Sequence, residues 1–292
     1  MAKITVVHPE IVNRLATAKV VVIDKSGTLT QGKPTVADIR GIHVDDRDRL
    51  IRFLALAAAV ENNSQHPLAK AVVDWSQRRS KTDNHLAQIL ANLAVTDFAV
   101  KTGYGVTGKV NAIPVAVGRP TLMKSLGIDT IFIEPDIVEL EQLGYTTIVV
   151  AVAGSIEGII ATSDPLKPYA QEVISQLNQL GNKIWLITGD NERTAQVVAR
   201  EAGITSVLAG VTPEEKPIAI NRLREKGNRV VMIGDPLTDG SALKVADIAV
   251  GMTDNHSSPS DYLDVLVSED LRDLVTLFTS PQELLKTAPN SV

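Results

Sequence analysis

The sequence predicts an α/β protein built on a doubly wound parallel sheet, with an inserted α+β domain. Three observations lead to this prediction. From residue 162 onward, β-branched strand signals alternate with amphipathic helix signals that end in glycine. A separate run, Val20 to Ile23, reads as a strand buried on both faces, which is typical of a parallel sheet. Breaker-rich passages at residues 32–34 and 164–168 mark where the chain leaves this sheet and returns.

The first strand ends at an acidic residue. The stretch DKSGTLT follows Val20 to Ile23 directly, so we expect Asp24 at the carboxyl end of a buried strand. In open α/β sheets, ligands bind in the crevice outside the carboxyl ends of the strands, where the next loop offers backbone N–H groups to an anion. An isolated aspartate in such a turn is more often a helix N-cap. The rest of the chain has to decide between a ligand site and a cap.

The segment after this strand has a different pattern. Residues 47–60 and 66–79 read as two amphipathic helices, and Pro67 falls in the first turn of the second. Strand signals separated by glycines follow in TDFAVKTGYGVTGKV, AIPVAVG, TTIVVAVAG and SIEGIIATS. Two helices with several short strands predict an inserted α+β domain over residues 33–160, between two hinge strands.

The second half of the chain supplies the remaining elements of the parallel sheet. Helix signals in PYAQEVISQLNQLG, NERTAQVVAREAG, EEKPIAINRLREKG and DGSALKVA alternate with strand signals in KIWLIT, SVLAG, RVVMIG and IAVGM. Such alternation is typical of β-α-β units. We therefore assign residues 1–32 and 161–275 to one discontinuous domain and residues 276–292 to a tail.

Composition excludes several classes of function. The 292 residues are 44% hydrophobic and 22% charged, as in soluble globular proteins. The net charge of −5 gives no global attraction for nucleic acid, so we expect no nucleic-acid partner and only a local anion site. The absence of cysteine excludes disulfides, thiolate metal sites and a cysteine nucleophile. The most apolar stretch, FLALAAAV, has the length of a core helix, so we expect no membrane span.

Two further strand ends carry a hydroxyl and a lysine. Thr188 ends one strand, and Gly189 and Asp190 are expected to open the next helix, so a hydroxyl and helix amides would face the same crevice. Lys216 lies near a helix start, where a cation is unfavourable because it opposes the helix dipole. Its presence at this position needs another explanation. Each feature alone has an ordinary explanation, a helix cap or a solvated lysine.

An acid pair completes a chemical set. Asp235 follows the strand RVVMIG and Asp239 comes four residues later; two acids at this spacing cap a helix or hold Mg²⁺ through oxygen ligands. With Asp24, Thr188 and Lys216, they are the parts needed to make and hold an aspartyl phosphate. In this arrangement Asp24 attacks the phosphorus, and Mg²⁺ held by Asp24 and Asp235 neutralises the developing charge. Thr188 and Lys216 bind the equatorial oxygens.

The order of these motifs resembles the haloacid dehalogenase superfamily and, within it, the P-type ATPases. DKSGTLT is similar to their phosphorylation motif DKTGTLT, TGDN is the same as theirs, and GDPLTDGSAL is similar to GDGxNDxxAL. SDPLKP looks like their hinge segment. The resemblance runs from Val20 to about Met252. It implies a haloacid dehalogenase-like fold and an ATP-hydrolysing enzyme that is phosphorylated on Asp24, with Mg²⁺ and ATP as cofactors.

The inserted domain narrows the resemblance to the heavy-metal-transporting branch. ENNSQHPLAKAV is similar to the E-x4-HP signature of that branch, and TGYGVTG to its glycine pair. The resemblance implies a nucleotide-binding domain in which Glu61 and His66 contact the adenine end of ATP. Gly103 and Gly105 would line the pocket, and glycines allow a base or phosphate to approach the backbone closely. We interpret the other histidines as surface residues; they are His8, His43, His85 and His256.

One position separates ATPases from phosphatases in this superfamily. Soluble phosphatases with this fold carry a second aspartate two residues after the nucleophile, which protonates the leaving group and later activates water. Here that position is Ser26. The resemblance therefore implies a persistent aspartyl phosphate, with the backbone carbonyl of Ser26 available to Mg²⁺.

Departures from the family pattern leave two interpretations open. Pro236 replaces glycine and removes an N–H beside Asp235, and Thr238 replaces asparagine; both changes could lower activity. Membrane segments and the actuator domain of the family are missing from the sequence. We expect the large cytoplasmic loop of a heavy-metal transporter, monomeric in isolation, whose partners are ATP and the membrane and actuator domains of the parent. The alternative is a stand-alone soluble phosphohydrolase or a degenerate regulatory nucleotide-binding module.

Overall fold

The computed structural model describes residues 4–43, 45–253, 261–268 and 270–284. The chain forms two compact units, the first made of Met1–Gly32 with Pro165–Val292 and the second of Lys33–Asp164. The second boundary falls four residues later than expected from the sequence, because the last strand of the second unit continues to Ser163. The functional assignment of the two domains, and of the tail at residues 276–292, stays a prediction.

The strands and helices are numbered in chain order. The strands are β1 (Ile4–Val6), β2 (Val20–Asp24), β3 (Thr35–Gly41), β4 (Val95–Lys101), β5 (Gly105–Val110), β6 (Ile113–Gly118), β7 (Thr146–Val152), β8 (Ser155–Ser163), β9 (Lys183–Ile187), β10 (Ser206–Leu208), β11 (Val230–Gly234), β12 (Ile248–Met252) and β13 (Val265–Val267). The α-helices are α1 (Ile11–Leu15), α2 (Arg47–Glu61), α3 (Pro67–Ser80), α4 (Asn84–Leu90), α5 (Pro120–Ser125), α6 (Glu134–Gln142), α7 (Ala170–Gln179), α8 (Glu192–Ala202), α9 (Lys216–Glu225), α10 (Gly240–Val245), α11 (Arg272–Thr279) and α12 (Pro281–Leu284). A π-type turn (Lys25–Leu29) follows β2, and a 3₁₀ turn (Ile131–Ile133) precedes α6.

The first unit is a sheet with β2 near its centre. The strand order is β1-β13-β12-β11-β2-β9-β10, and every pair is parallel except β1 with β13. Side chains of β2 alternate between two apolar clusters: Val21 and Ile23 join one, Val20 and Val22 the other. This alternation explains the uninterrupted β-branched run, since a strand covered on both faces needs apolar residues throughout.

Helices cover both faces of this sheet. Apolar residues of α1, α7, α8 and α11 belong to one cluster, and those of α9 and α10 to the other. The predicted fold class, a doubly wound α/β sheet with an inserted α+β domain, is confirmed. Because β2 lies between β11 and β9, the loops after these three strands emerge side by side at one edge of the sheet.

The second unit is a six-stranded antiparallel sheet with helices on both faces. Its strand order is β3-β8-β7-β6-β5-β4. Helices α2 and α3 pack on one face and α5 and α6 on the other. Helices α4, α5 and α6 were not predicted; α5 and α6 are short and each has a proline in its first turn. A six-residue helix shows too few turns for its apolar period to stand out in the sequence.

Close packing between α2 and β8 requires a glycine. Phe53 of α2 lies against Gly158, where an added Cβ would come within 2.8 Å of the ring and 2.6 Å of the Arg40 carbonyl oxygen on β3. Phe53 is itself buried in the core of this unit. The two atoms that crowd position 158 are a backbone oxygen and a core ring, which have little freedom to move.

We expect Gly158→Ala to lower the free energy of unfolding by about 1–3 kcal/mol, because the added methyl group overpacks the core. Urea denaturation measures this change. Gly108→Ala on β5 is the matched control, since a Cβ there meets its neighbours only at ordinary distances of 3.5 Å or more. Equal stability of the two variants would contradict the packing described here.

Candidate active site

Two buried carboxylates share one buried lysine at the carboxyl edge of the first unit's sheet. The Lys216 Nζ atom donates to Asp24 Oδ1 at 2.6 Å and to Asp239 Oδ1 at 2.6 Å. Asp24 is the last residue of β2, Lys216 the first of α9, and Asp239 precedes α10. Their relative exposures are 4%, 8% and 0%. The reason for a lysine at a helix start is therefore this pair of carboxylates.

Burial and crowding set the charges of this cluster. Burial and, after it, the Asp239 carboxylate raise the pKa of Asp24 to about 7, although the Lys216 ammonium opposes both. Burial alone would lower the pKa of Lys216, but the two carboxylates outweigh it and the pKa of Lys216 is raised. Lys216 therefore stays an ammonium ion. One positive charge faces two carboxylates, and this excess of negative charge favours a further bound cation.

Asp239 is held by the loop that begins at Asp235. The Asp235 amide donates to Asp239 Oδ2 at 3.1 Å, and the Asp239 amide donates to the Asp235 carbonyl at 2.8 Å. A Cβ on Gly234 would lie 2.6 Å from Asp239 Oδ2, so only glycine leaves room for this carboxylate. Neither Asp24 nor Asp239 caps a helix with its side chain. The cap interpretation is thus wrong for both residues.

Thr188 and a second ion pair lie at the neighbouring strand end. Thr188 follows β9, whose Ile187 is the register partner of Asp24, and its Oγ1 accepts from the Asp190 amide at 3.1 Å. The Asp190 carboxylate forms an ion pair with Lys25. Both side chains of this pair are largely buried. The Lys25–Asp190 pair was missed from the sequence, although each residue stands inside a motif, beside Asp24 and beside Thr188.

The expected helix start after Thr188 is wrong by two residues. Asn191 is the N-cap of α8, with its side-chain oxygen accepting from the Thr194 amide at 3.0 Å, so the helix begins at Glu192. Asp190 remains in the loop, where its side chain is used by Lys25. Because Asn191 supplies the cap, the Asp190 side chain is available for the ion pair.

The oxygen donors present fit Mg²⁺. Asp24 and Asp235 are carboxylates at adjacent strand ends, since β2 pairs with β11 through Ile23 and Ile233. Ser26 lies in the turn after β2 with an extended backbone conformation. No group of three or more His, Asp or Glu side chains among the described residues could hold a metal. Mg²⁺ needs only one or two carboxylates beside water and phosphate oxygens, and the excess negative charge at Asp24 and Asp239 suits a cation.

Glu61 and His66 lie together in the second unit. Glu61 is the last residue of α2, 6% exposed, and burial raises its pKa to about 7. The Ser64 amide donates to the Glu61 carbonyl at 2.8 Å, and the His66 amide donates to Ser64 Oγ at 3.2 Å. His66 is the N-cap of α3, where its Nδ1 accepts from the Leu68 amide. One short turn therefore brings the two predicted nucleotide ligands to neighbouring helix ends.

The two predicted glycines differ in their surroundings. Gly103 has a φ of +79° and no atom within 4 Å of an added Cβ, so the backbone there is open to a ligand. At Gly105, φ +144°, an added Cβ would lie 2.3 Å from the Val117 carbonyl oxygen. The missing side chain at Gly105 is therefore accounted for by the close pairing of β5 with β6. Whether Gly105 also lines a nucleotide pocket stays a prediction.

The other histidines that the structure describes have ordinary surroundings. His8 contacts a backbone carbonyl, His85 lies 3.3 Å from Asp48, and His43 is exposed. His256 lies outside the described residues.

Among the described helices, none is both long and apolar enough to cross a lipid bilayer.

Comparison with known proteins agrees with the geometry. Residues 18–247 match the haloacid dehalogenase-like hydrolase family. The chain is 37% identical over 266 residues to copper-transporting ATPase 1 of Rhizobium meliloti, covering 90% of this chain and 30% of that protein. The chain spans about a third of the length of the curated relatives it matches.

Solved structures show the same relationship. The catalytic domain of the CPx-ATPase CopB, studied for its conformational changes upon nucleotide binding, matches with a TM-score of 0.71 at 26% identity over 94% of both chains. A zinc-transporting PIB-type ATPase in the E2.Pi state matches with a TM-score of 0.60 at 30% identity, covering 94% of this chain and 43% of that one. The resemblance drawn from the motifs is confirmed. Because the family match covers most of the sequence, this chain belongs to the haloacid dehalogenase-like hydrolases.

Proposed function

We propose that this chain is the ATP-binding, aspartyl-phosphorylated catalytic portion of a P-type ATPase that transports a heavy-metal cation. The observation that carries the proposal is the buried Asp24 carboxylate at a central strand end, bonded to a lysine that it shares with Asp239. Relatives named as copper-transporting ATPases support the choice of family branch. On this proposal, the chain lies on the cytoplasmic face of a membrane, next to the membrane and actuator domains of its parent.

The chemical step takes place on Asp24. A carboxylate oxygen of Asp24 forms a bond to the γ-phosphorus of ATP as the bond from that phosphorus to the ADP oxygen breaks, and ADP leaves with the electron pair. Lys216 is placed to balance charge on the transferred group, because its ammonium already contacts the attacking carboxylate. Thr188 is placed beside it by the register of β9 with β2 and offers a hydroxyl to an equatorial oxygen. Asp239 holds Lys216 in position.

Asp24, Asp235 and the Ser26 carbonyl would hold Mg²⁺. When bound, the ion supplies neutralisation of the charge that develops on the phosphoryl oxygens. The chain's own contribution is to present ionised oxygens at one edge of the sheet. Because burial and the neighbouring Asp239 raise the pKa of Asp24 to about 7, a cation held beside this carboxyl would favour its ionised, nucleophilic form.

The phosphorylated state should persist in this chain. Ser26 occupies the position where soluble phosphatases of this fold carry their second aspartate, and a serine hydroxyl is a poor general base at neutral pH. Hydrolysis of the aspartyl phosphate then depends on a group from elsewhere in the parent protein. A long-lived aspartyl phosphate is what an enzyme needs when it couples phosphorylation to a conformational change.

ATP would bind to the second unit through its adenine end. Glu61 and His66 stand at adjoining helix ends, and Gly103 leaves the turn between β4 and β5 without a side chain. The Glu61 carboxyl is buried and forms no salt bridge within the described residues, so the amino group of a base could donate a hydrogen bond to it. We assign Glu61, His66, Gly103 and Gly105 to this subsite.

Substitution of Asp24 by Asn tests the proposed reaction. We expect the unaltered chain with radiolabelled ATP and Mg²⁺ to acquire an acid-stable label that hydroxylamine removes, and Asp24→Asn to show only background label, because an amide cannot attack phosphorus. Asp273→Asn, a buried acid on α11, is the matched control and should still be labelled. Rapid Mg²⁺-dependent phosphatase turnover that survives Asp24→Asn would refute the proposal, and rapid turnover that is lost with Asp24 would favour a stand-alone phosphohydrolase.

Removal of the shared ammonium tests the electrostatics. Lys216→Met leaves two buried carboxylates without a cation, so we expect the free energy of unfolding to fall by about 3–5 kcal/mol at pH 8. Chemical denaturation with and without the second change Asp239→Asn measures the coupling. The double variant should recover most of the loss, because only one buried carboxylate then remains. A loss of the same size in both backgrounds would show that Lys216 contributes through packing instead.

The burial of Glu61 predicts a pH dependence of stability. Its pKa is raised to about 7 in the folded state from an ordinary value of 4.5. No penalty exists below pH 4.5, where the carboxyl is protonated in both states; the penalty grows as pH rises and is complete above pH 7. Glu61→Gln should therefore raise the free energy of unfolding by about 2–3 kcal/mol more at pH 8 than at pH 5. Urea denaturation at both pH values, with exposed Glu134→Gln as control, tests this; an equal gain at both pH values would contradict it.

A further inference from the structure

The loop that carries Asp235 has an unusual second residue. Pro236 follows the proposed magnesium ligand directly, and proline lacks the N–H that another residue would offer there. The loop is otherwise closed on itself. The Leu237 amide donates to Asp235 Oδ1 at 2.8 Å, and the Asp239 amide donates to the Asp235 carbonyl at the same distance.

Tyr262 holds the carbonyl of Pro236. Its hydroxyl donates to the Pro236 oxygen at 3.0 Å, across a sequence separation of 26 residues. Tyr262 lies three residues before β13, so this bond ties the loop that follows β11 to the connection that enters β13. Within the described part of the chain, the other hydrogen bonds that hold the peptide after Asp235 come from the loop itself.

The ring of Pro236 is seated as well. A Cβ on Gly251 of β12 would come within 2.9 Å of Pro236 Cγ, so the proline ring lies on the bare backbone of the neighbouring strand. The proline is therefore fixed on two sides, by Gly251 under its ring and by Tyr262 at its carbonyl. The space next to Gly251 is therefore filled by the proline ring.

The tyrosine ring is itself held in place. Its hydroxyl oxygen would lie 3.1 Å from a Cβ on Gly240, the first residue of α10. The Lys244 ammonium lies over the ring, 5.0 Å from its centroid. The ring also packs against the apolar cluster under α9 and α10. A hydroxyl on a ring fixed in this way has little rotational freedom to lose when it donates its hydrogen bond.

We propose that Tyr262 is a positioning residue for the metal site, which holds the loop from Asp235 to Asp239 through the carbonyl of Pro236. The proposal rests on the assignment of Asp235 as a magnesium ligand. Tyr262 touches neither substrate nor metal; it keeps the peptide next to Asp235 in one orientation. It also supplies from outside the loop a constraint on a peptide that has no N–H of its own.

The test separates the hydroxyl from the ring. Tyr262→Phe keeps the ring beneath the Lys244 ammonium and removes the hydroxyl, and with it the bond to Pro236. In the full chain, we expect its Mn²⁺ dissociation constant, read from the electron paramagnetic resonance signal of free Mn²⁺, to rise about tenfold, as for other residues that orient metal ligands. We expect the amides of Asp235 and Asp239 to exchange with deuterium about tenfold faster, because both depend on the closed loop.

Three further variants serve as controls for this result. Asp235→Asn defines the site, since Mn²⁺ binding that survives this change is elsewhere. Lys244→Met removes the cation over the ring but not the hydroxyl, and it should leave Mn²⁺ affinity unchanged. Gly251→Ala displaces the Pro236 ring from beneath, so it should weaken Mn²⁺ binding, as Tyr262→Phe does. If one of these two variants folds poorly, the other still tests the proposal.

Phosphorylation adds a readout that a purely structural role would not move. In Tyr262→Phe, the Mg²⁺ concentration for half-maximal labelling should rise about tenfold, while the maximal label at saturating Mg²⁺ stays the same. Unchanged Mn²⁺ affinity and unchanged amide exchange in a folded Tyr262→Phe variant would overturn the proposal. If the unaltered chain binds Mn²⁺ through Asp235 and responds to Tyr262→Phe but never acquires label, the positioning role stands and the proposed phosphorylation fails.

Discussion

The contact of one lysine ammonium with two buried carboxylates is the interaction on which the proposed site depends. Asp24, Lys216 and Asp239 come from three distant parts of the chain and would each be costly to bury alone. Together they tolerate burial, because the lysine bonds both acids and the acids raise its pKa. The remaining excess of negative charge makes the cluster receptive to a further cation.

The parallel sheet makes this contact possible. Strand β2 pairs with both β9 and β11, and this register sets the positions of Asp24, Thr188 and Asp235 along the strand direction. The spacing of the three residues therefore follows from backbone pairing instead of from loop conformation. Glycines then remove steric obstacles at close approaches, as Gly234 does for the Asp239 carboxylate. The site is thus built on rigid strands, and the loops contribute side chains over a few residues only.

Sequence patterns could predict the elements but not all of the partners. The run Val20–Ile23 identified a buried central strand, because both faces demand apolar residues. Motif order placed Asp24, Thr188 and Asp235 at strand ends and Lys216 at a helix start. The Lys25–Asp190 ion pair was not predictable, since it joins residues 165 positions apart and each also has an ordinary role in its turn. The role of Gly105 in strand pairing was hidden for the same reason: a missing side chain looks identical in sequence whether a ligand or a neighbouring backbone fills the space.

The way the second unit closes on itself has a consequence for the order of folding. Its first and last residues meet, since the Lys33 amide donates to Asp164 Oδ1 at 3.2 Å. Strand β2 pairs in parallel with β9, and Val20 has Lys183 as its partner, so β2 must wait during synthesis until that distant strand exists. If the second unit is already folded, β2 and β9 are joined by two adjacent chain ends instead of by a long flexible loop. Most of the entropy that would be lost on pairing these two strands is then already lost. We therefore expect the inserted unit to fold first, during synthesis on the ribosome, and so to bring β9 close to β2.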